Sequence, residues 1–159
     1  AVFDAIRELM TTPYFREDPK WIASRLNPKV SVDDVRIALV HLENLGMIKR
    51  NDEGKLEAVQ NWVSTGDEVR SMLVREFHKS MIEQGKSSME NVVSQLRDIS
   101  SLTFGVSEEN VEKLKQLLSA FRKELLAIAE QNVHPNLIYQ LNLQLFPLSK
   151  DLSEGGDEE

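Results

Sequence analysis

The apolar residues of the first third of the chain change period at Gly46, and that change constrains the fold more than any other feature. Before Gly46 they recur every three or four positions, the repeat of one face of a helix. After it they alternate, the repeat of a strand. Val2, Phe3, Ile6, Leu9 and Met10 mark a first helix over 2–11, which Pro13 ends. Asp18-Pro19 supplies an N-cap followed by proline at the first helical position, and Trp21, Ile22, Ala23 and Leu26 give the buried side of a second helix closed by Asn27-Pro28. Ser31 caps a third, with Asp33 and Asp34 in its positive first turn and Val35, Leu39, Leu42 and Leu45 along its core face. Gly46 stops that helix from the C′ position. The runs 47–50 and 55–59 then flank the turn residues Asn51-Asp-Glu-Gly54, which predicts a two-stranded hairpin. Three short helices and a hairpin are the parts of a winged helix-turn-helix module, assigned to residues 1–65.

From residue 66 to 150 the pattern predicts helix, strand, helix, strand. Thr65-Gly-Asp-Glu68 has the spacing of a capping box and opens a long helix with Val69, Met72, Leu73, Phe77 and Met81 on one side. Gly85 and Ser87-Ser88 are expected to break or bend it, with a helical pattern resuming through Met89, Val92, Val93 and Leu96. Leu102, Phe104 and Val106 alternate with Thr103 and Gly105 as a strand. Ser107 caps a helix carrying Val111, Leu114, Leu118, Phe121, Leu125 and Ile128, and Tyr139, Leu141, Leu143 and Leu145 alternate with Gln140, Asn142 and Gln144 as a second strand that Pro147 stops. The expected class is therefore α+β and mostly helical, with a regulatory and dimerisation module over 66–150. Two strands alone make a marginal sheet, so a second copy of the chain is the expected source of a third, and a homodimer is expected.

Five segments carry a family likeness: Ile6-Arg-Glu-Leu-Met-Thr-Thr-Pro13, Trp21-Ile-Ala-Ser-Arg-Leu-Asn-Pro28, Trp62-Val-Ser-Thr-Gly-Asp-Glu-Val-Arg70, Arg97-Asp-Ile-Ser-Ser-Leu-Thr103 and Tyr139-Gln-Leu-Asn-Leu-Gln-Leu-Phe-Pro147. In this order, across roughly residues 3–150, the chain resembles the C-terminal domain of a family of uncharacterised bacterial proteins described as predicted transcriptional regulators. The resemblance implies a domain of unknown function preceded by a further helix-turn-helix-like region. It brings no catalytic or ligand residues with it. The opening Ala1-Val-Phe-Asp-Ala-Ile, without Met and already inside a helical pattern, likewise reads as a piece of a longer protein.

Charge narrows the function classes. Residues 1–65 carry 9 basic and 10 acidic side chains, 66–150 carry 10 and 11, and 151–159 carry none and 5. The expected folded part is nearly neutral, without a strongly basic nucleic-acid footprint, and the acidic end reads as a solvated, disordered tail. With no cysteine, a disulfide framework, a thiol nucleophile and a thiolate zinc site are excluded, which fits a cytoplasmic protein. No run approaches the length of a membrane span, so no membrane association is expected. The seven glycines form no phosphate-cradling loop, and His41, His78 and His134 share no ligand spacing. The acidic pairs Asp33/Asp34 and Glu108/Glu109 are explained by helix first turns. No cofactor, metal or catalytic residue is expected, and the chain does not read as an enzyme.

Two kinds of contact remain. If the first module touches DNA, Arg36 and Asn44 on the third helix and Lys49, Arg50 and Lys55 on the hairpin are the candidates, giving weak and salt-sensitive binding. Setting Val35, Leu39 and Leu42 inward turns Ile37 and Val40 outward on that helix, where they expect a cover, either the second half of the chain or a partner protein. Tyr139, Leu141 and Leu143 pose the same question on the last strand. Three functions stay open: the regulatory part of a transcription-regulator-like protein, an interaction adaptor that keeps the winged shape without nucleic acid, and a small-molecule sensor with a pocket near Trp62 and Tyr139.

Overall fold

The computed structural model describes residues 2–59 and 67–153. In order, these form α1 (Val2–Met10), α2 (Pro19–Arg25), α3 (Val32–Asn44), β1 (Ile48–Arg50), β2 (Leu56–Ala58), α4 (Asp67–Asn91), a 3-10 turn (Ser94–Leu96) and α5 (Glu108–Glu130). The described structure is mostly helical with one small two-stranded antiparallel sheet, consistent with an α+β class.

The start of α2 and both ends of α3 are held by the groups expected to hold them. The Asp18 carboxylate accepts from the Lys20 amide at 3.0 Å, directly ahead of Pro19. The Ser31 hydroxyl accepts from the Asp34 amide at 3.0 Å and donates to the Asp34 carboxylate at 2.6 Å, so cap and first turn satisfy each other. At the far end of α3, Gly46 takes φ 68°, its amide donates to Glu43 O, and the Met47 amide donates to Leu42 O, both at 2.9 Å. These two bonds are the Schellman pair, and a positive φ at their centre is why glycine stands there.

In the hairpin, Ile48 faces Ala58, Lys49 faces Glu57 and Arg50 faces Leu56. The Asn51 side-chain oxygen accepts from the amides of Glu53 and Lys55, both at 3.0 Å, and Gly54 at φ 77° closes the turn. One apolar core joins these elements: Ile6 and Leu9 from α1, Ile22 and Ala23 from α2, Val35, Ala38 and Leu42 from α3, Ile48 from β1 and Leu56 from β2. Five of these, Ile6, Ile22, Val35, Leu42 and Ile48, are fully buried, and each contributes about 1.5–3 kcal/mol on leaving water. Arg7 on α1 also donates to Val59 O at 3.1 Å, tying the end of β2 to the first helix.

Three expectations beyond residue 66 are corrected. The helix does not break at Gly85: α4 runs unbroken to Asn91. The Ser88 hydroxyl donates back to Gly85 O at 2.7 Å, and the Asn91 side-chain amide donates to Ser87 O at 3.0 Å, so the small polar residues bond along the helix. One glycine costs only about 1 kcal/mol in a helix interior, and the good helix formers around it outweigh that. The helix ends where Arg97 folds back, donating to Val92 O at 2.9 Å and Met89 O at 3.1 Å, so the expected helical run to Arg97 becomes a turn that caps α4.

The strands expected at 102–106 and 139–145 do not form; among the described residues the only sheet is β1–β2. Alternation decides which side chains share a face but supplies no neighbouring strand, and a strand exists only through its neighbour's hydrogen bonds. Ser107 does sit at the N-cap of α5, but its hydroxyl makes no bond to the first-turn backbone. It accepts instead from the Asn110 side-chain amide at 2.8 Å. Thr65 and Gly66 of the expected capping box lie outside the described residues. Among the described residues, 2–59, 67–102 and 132–140 form one compact unit, and 103–131 with 141–153 form another.

Candidate interaction surface

The outer face of α3 and the adjoining hairpin carry most of the residues singled out by sequence. Because Val35, Ala38 and Leu42 take the core side of α3, a turn of about 100° per residue leaves Arg36, Ile37, Val40 and Asn44 outside. Ile37 and Val40 are 56% and 55% exposed. With Arg36 and His41 they line a shallow, largely apolar depression of about 250 Å³. His41 is held against α1 by its ring, which stacks on Phe3 at 6.2 Å between centroids and 23° between planes.

Every cation nominated for DNA contact has a carboxylate close by. Arg36 pairs with Asp33 at 2.7 Å, one helical turn back. Lys49 lies 3.3 Å from Glu57, its direct cross-strand neighbour, and Lys55 lies 2.9 Å from Glu53 in the turn. Arg50 has the richest set: two bonds to Glu17 at 2.7 and 3.2 Å, one to Gly54 O at 2.8 Å, and the Glu43 carboxylate at 3.7 Å. The hydrogen bond to Glu17 raises the Arg50 pKa above its ordinary value, and the charges of Glu17 and Glu43 add to this against the cost of desolvation. These pairs are exposed, so each contributes little to stability. Their effect is on the potential: α3 and the hairpin present alternating signs where a phosphate contact surface needs one sign.

Glu17 is the residue that sequence reasoning missed. It lies 33 positions from Arg50, and no local pattern links a loop glutamate to a strand arginine at that separation. The lysine pairs were nearer to hand, since Lys49–Glu57 follows from the hairpin register and Lys55–Glu53 from the turn.

The second group of candidates is not brought onto a common ladder. Tyr139 is 67% exposed and belongs to the first unit, whereas Leu141, exposed, and Leu143, half-buried, belong to the second. Trp62, named for a ligand pocket, lies outside the described residues. Among the described residues, no group of three or more His, Asp or Glu is arranged to hold a metal ion, and no helix is long and apolar enough to cross a membrane.

A family model described as "Domain of unknown function (DUF4423)" matches residues 1–148. The chain belongs to that family. The match takes in α1 through α5 and the segment after them, and leaves the acidic end outside. There the hydroxyl and amide of Ser153 donate to the Asp151 carboxylate at 2.6 and 2.8 Å and hold it below the usual carboxylate range. No curated protein and no solved structure matches the chain.

Proposed function

We propose that residues 2–59 are a winged-helix module and that the chain is the regulatory and dimerising part of a bacterial, cytoplasmic transcription-regulator-like protein, without enzymatic activity. In this reading α3 is the recognition-type helix and the β1–β2 hairpin is the wing. Reading of a DNA sequence falls to a helix-turn-helix region elsewhere in the longer protein, as the resemblance implies. Contact by this chain is weak and limited to the wing and the flank of α3.

One observation carries the reading. The arrangement suits a nucleic-acid reader, yet Arg36, Lys49, Arg50 and Lys55 each lie within 4 Å of an acidic side chain of the same unit. A surface balanced in this way lowers the gain from displacing counterions, which supplies most non-specific affinity. Mobility-shift titration of the chain on duplex DNA tests it. Three wing phosphate contacts predict a log–log salt slope of about −2.7, or a loss of roughly 40-fold in affinity between 50 and 200 mM salt. The Lys49→Glu/Arg50→Glu double variant should abolish the shift.

A second reading is an adaptor that uses the same scaffold to bind protein. It is favoured by the Ile37–Val40 depression, since two branched apolar side chains at the centre of α3's outer face suit an apolar partner better than a phosphate backbone. Absence of any DNA shift at low salt, together with loss of a discrete hetero-complex in an Ile37→Asp/Val40→Asp variant, would move the assignment to the adaptor.

A further inference from the structure

α5 is 23 residues long, and none of its described side chains is buried. Its apolar residues are not scattered. Val111, Leu114, Leu118, Phe121, Leu125 and Ile128 follow one another at spacings of three, four, three, four and three. That is an unbroken heptad seam of six positions, about 26 Å long at 1.5 Å per residue. A 3.6-residue helix packed on an irregular surface has no need of a strict 3.5 repeat. A second helix offers holes at that same interval and takes up every knob. The open edge of the seam is equally plain, for Phe121 is 46% exposed and Leu117 beside it is 65% exposed, while Val111, Leu114, Leu118 and Leu125 are half-buried.

The described helices offer no second seam of this length. α1, α2 and α3 have 9, 7 and 13 residues, and their apolar faces already form the core of the first unit. In α4, the stretch Glu83-Gln-Gly-Lys-Ser-Ser88 interrupts the apolar residues between Ile82 and Met89. The helix that does match α5 layer for layer is α5 itself. Its charges raise no barrier to that pairing, since Glu108–Glu130 holds five acidic and four basic residues. The spacing is also symmetric about its midpoint, so all six layers can be matched in either relative direction.

We propose that α5 pairs with α5 of a second copy along the seam from Val111 to Ile128. This rests on the dimeric reading above and names the surface that makes the dimer. Six layers are short for a free-standing coiled coil, which ordinarily needs three to four heptads. The expected strength is therefore a dissociation constant on the order of micromolar, about −8 kcal/mol.

The absence of cysteine makes the test clean. In the full chain, a Leu114→Cys/Leu125→Cys variant should give a covalent dimer under mild oxidation whichever way the helices run. An intrachain bond is ruled out because the two positions lie about 16 Å apart along the helix, beyond the reach of a disulfide. Leu126→Cys, on the opposite side of α5, should remain uncrosslinked. Sedimentation of Leu118→Lys should show a dissociation constant raised at least tenfold, with helicity followed by circular dichroism. A chain that dimerises but gives no crosslink and sediments unchanged as Leu118→Lys overturns the seam and leaves the dimer standing on another surface. A chain that stays monomeric at about 100 μM overturns both.

Discussion

α3 and α5 are both amphipathic and both begin with paired acidic residues, yet they meet different fates. α3 buries Val35, Ala38 and Leu42 against helices and a strand that lie within forty residues of it, whereas α5, nearly twice as long, has no buried residue among those described. The lesson is that an apolar stripe states a requirement, and the neighbouring sequence decides whether it is met nearby. Around α3, the start of α2, both ends of α3 itself and the hairpin turn each carry a local signal that fixes where the element begins or stops. Around α5 the flanking alternating segments form no strand, and the stripe is at most half-buried.

Cutting into the α3 stripe gives the largest effect, and trimming the exposed edge of the α5 stripe gives almost none. Leu42→Ala should destabilise the protein by about 2–5 kcal/mol in urea unfolding, because its side chain is fully buried. Leu117→Ala on α5 should change the unfolding free energy of the dilute chain by less than about 0.5 kcal/mol. Equal costs at the two sites would erase the distinction. Gly46→Ala comes next at about 1–2 kcal/mol in the same assay, the cost of a left-handed conformation with a side chain, since no atom within 4 Å adds a clash. The caps sharpen the comparison further. Asp18→Ala and Ser31→Ala should each cost about 1 kcal/mol in thermal unfolding. Ser107→Ala, whose hydroxyl makes no bond to the α5 backbone, should cost no more than a few tenths. The smallest expected change is in amide exchange of Leu118→Lys, where α5 protection should fall while α3 protection is unmoved.

Much of the first unit was legible because its determinants are local. Asp18, Ser31, Gly46 and Asn51 each act within five residues, and each does in the structure what its residue type suggests. The orientation of Ile37 and Val40 followed from helical geometry alone. What escaped was long-range or cooperative. The Arg50–Glu17 pair spans 33 positions. The strands at 102–106 and 139–145 were inferred from alternation, which Leu102-Thr-Phe-Gly-Val106 possesses in full, but the backbone pairing that makes a strand is a property of two segments. Gly85 misled in the other direction, because its weak helix propensity was read as a break or bend where Ser88 and Asn91 bond along the helix and α4 continues to Asn91.

The ring of acceptors around Arg50 has a consequence for the hairpin's mechanics. Ile48 at its root and Leu56, which faces Arg50 beside the turn, are both anchored by burial, which added salt does not weaken; Glu17, Glu43 and the Gly54 carbonyl grip the Arg50 guanidinium next to them by charge. The strand pair that holds the guanidinium is thus itself seated in the core, and raising the ionic strength loosens the clasp on Arg50 while leaving its seat in place.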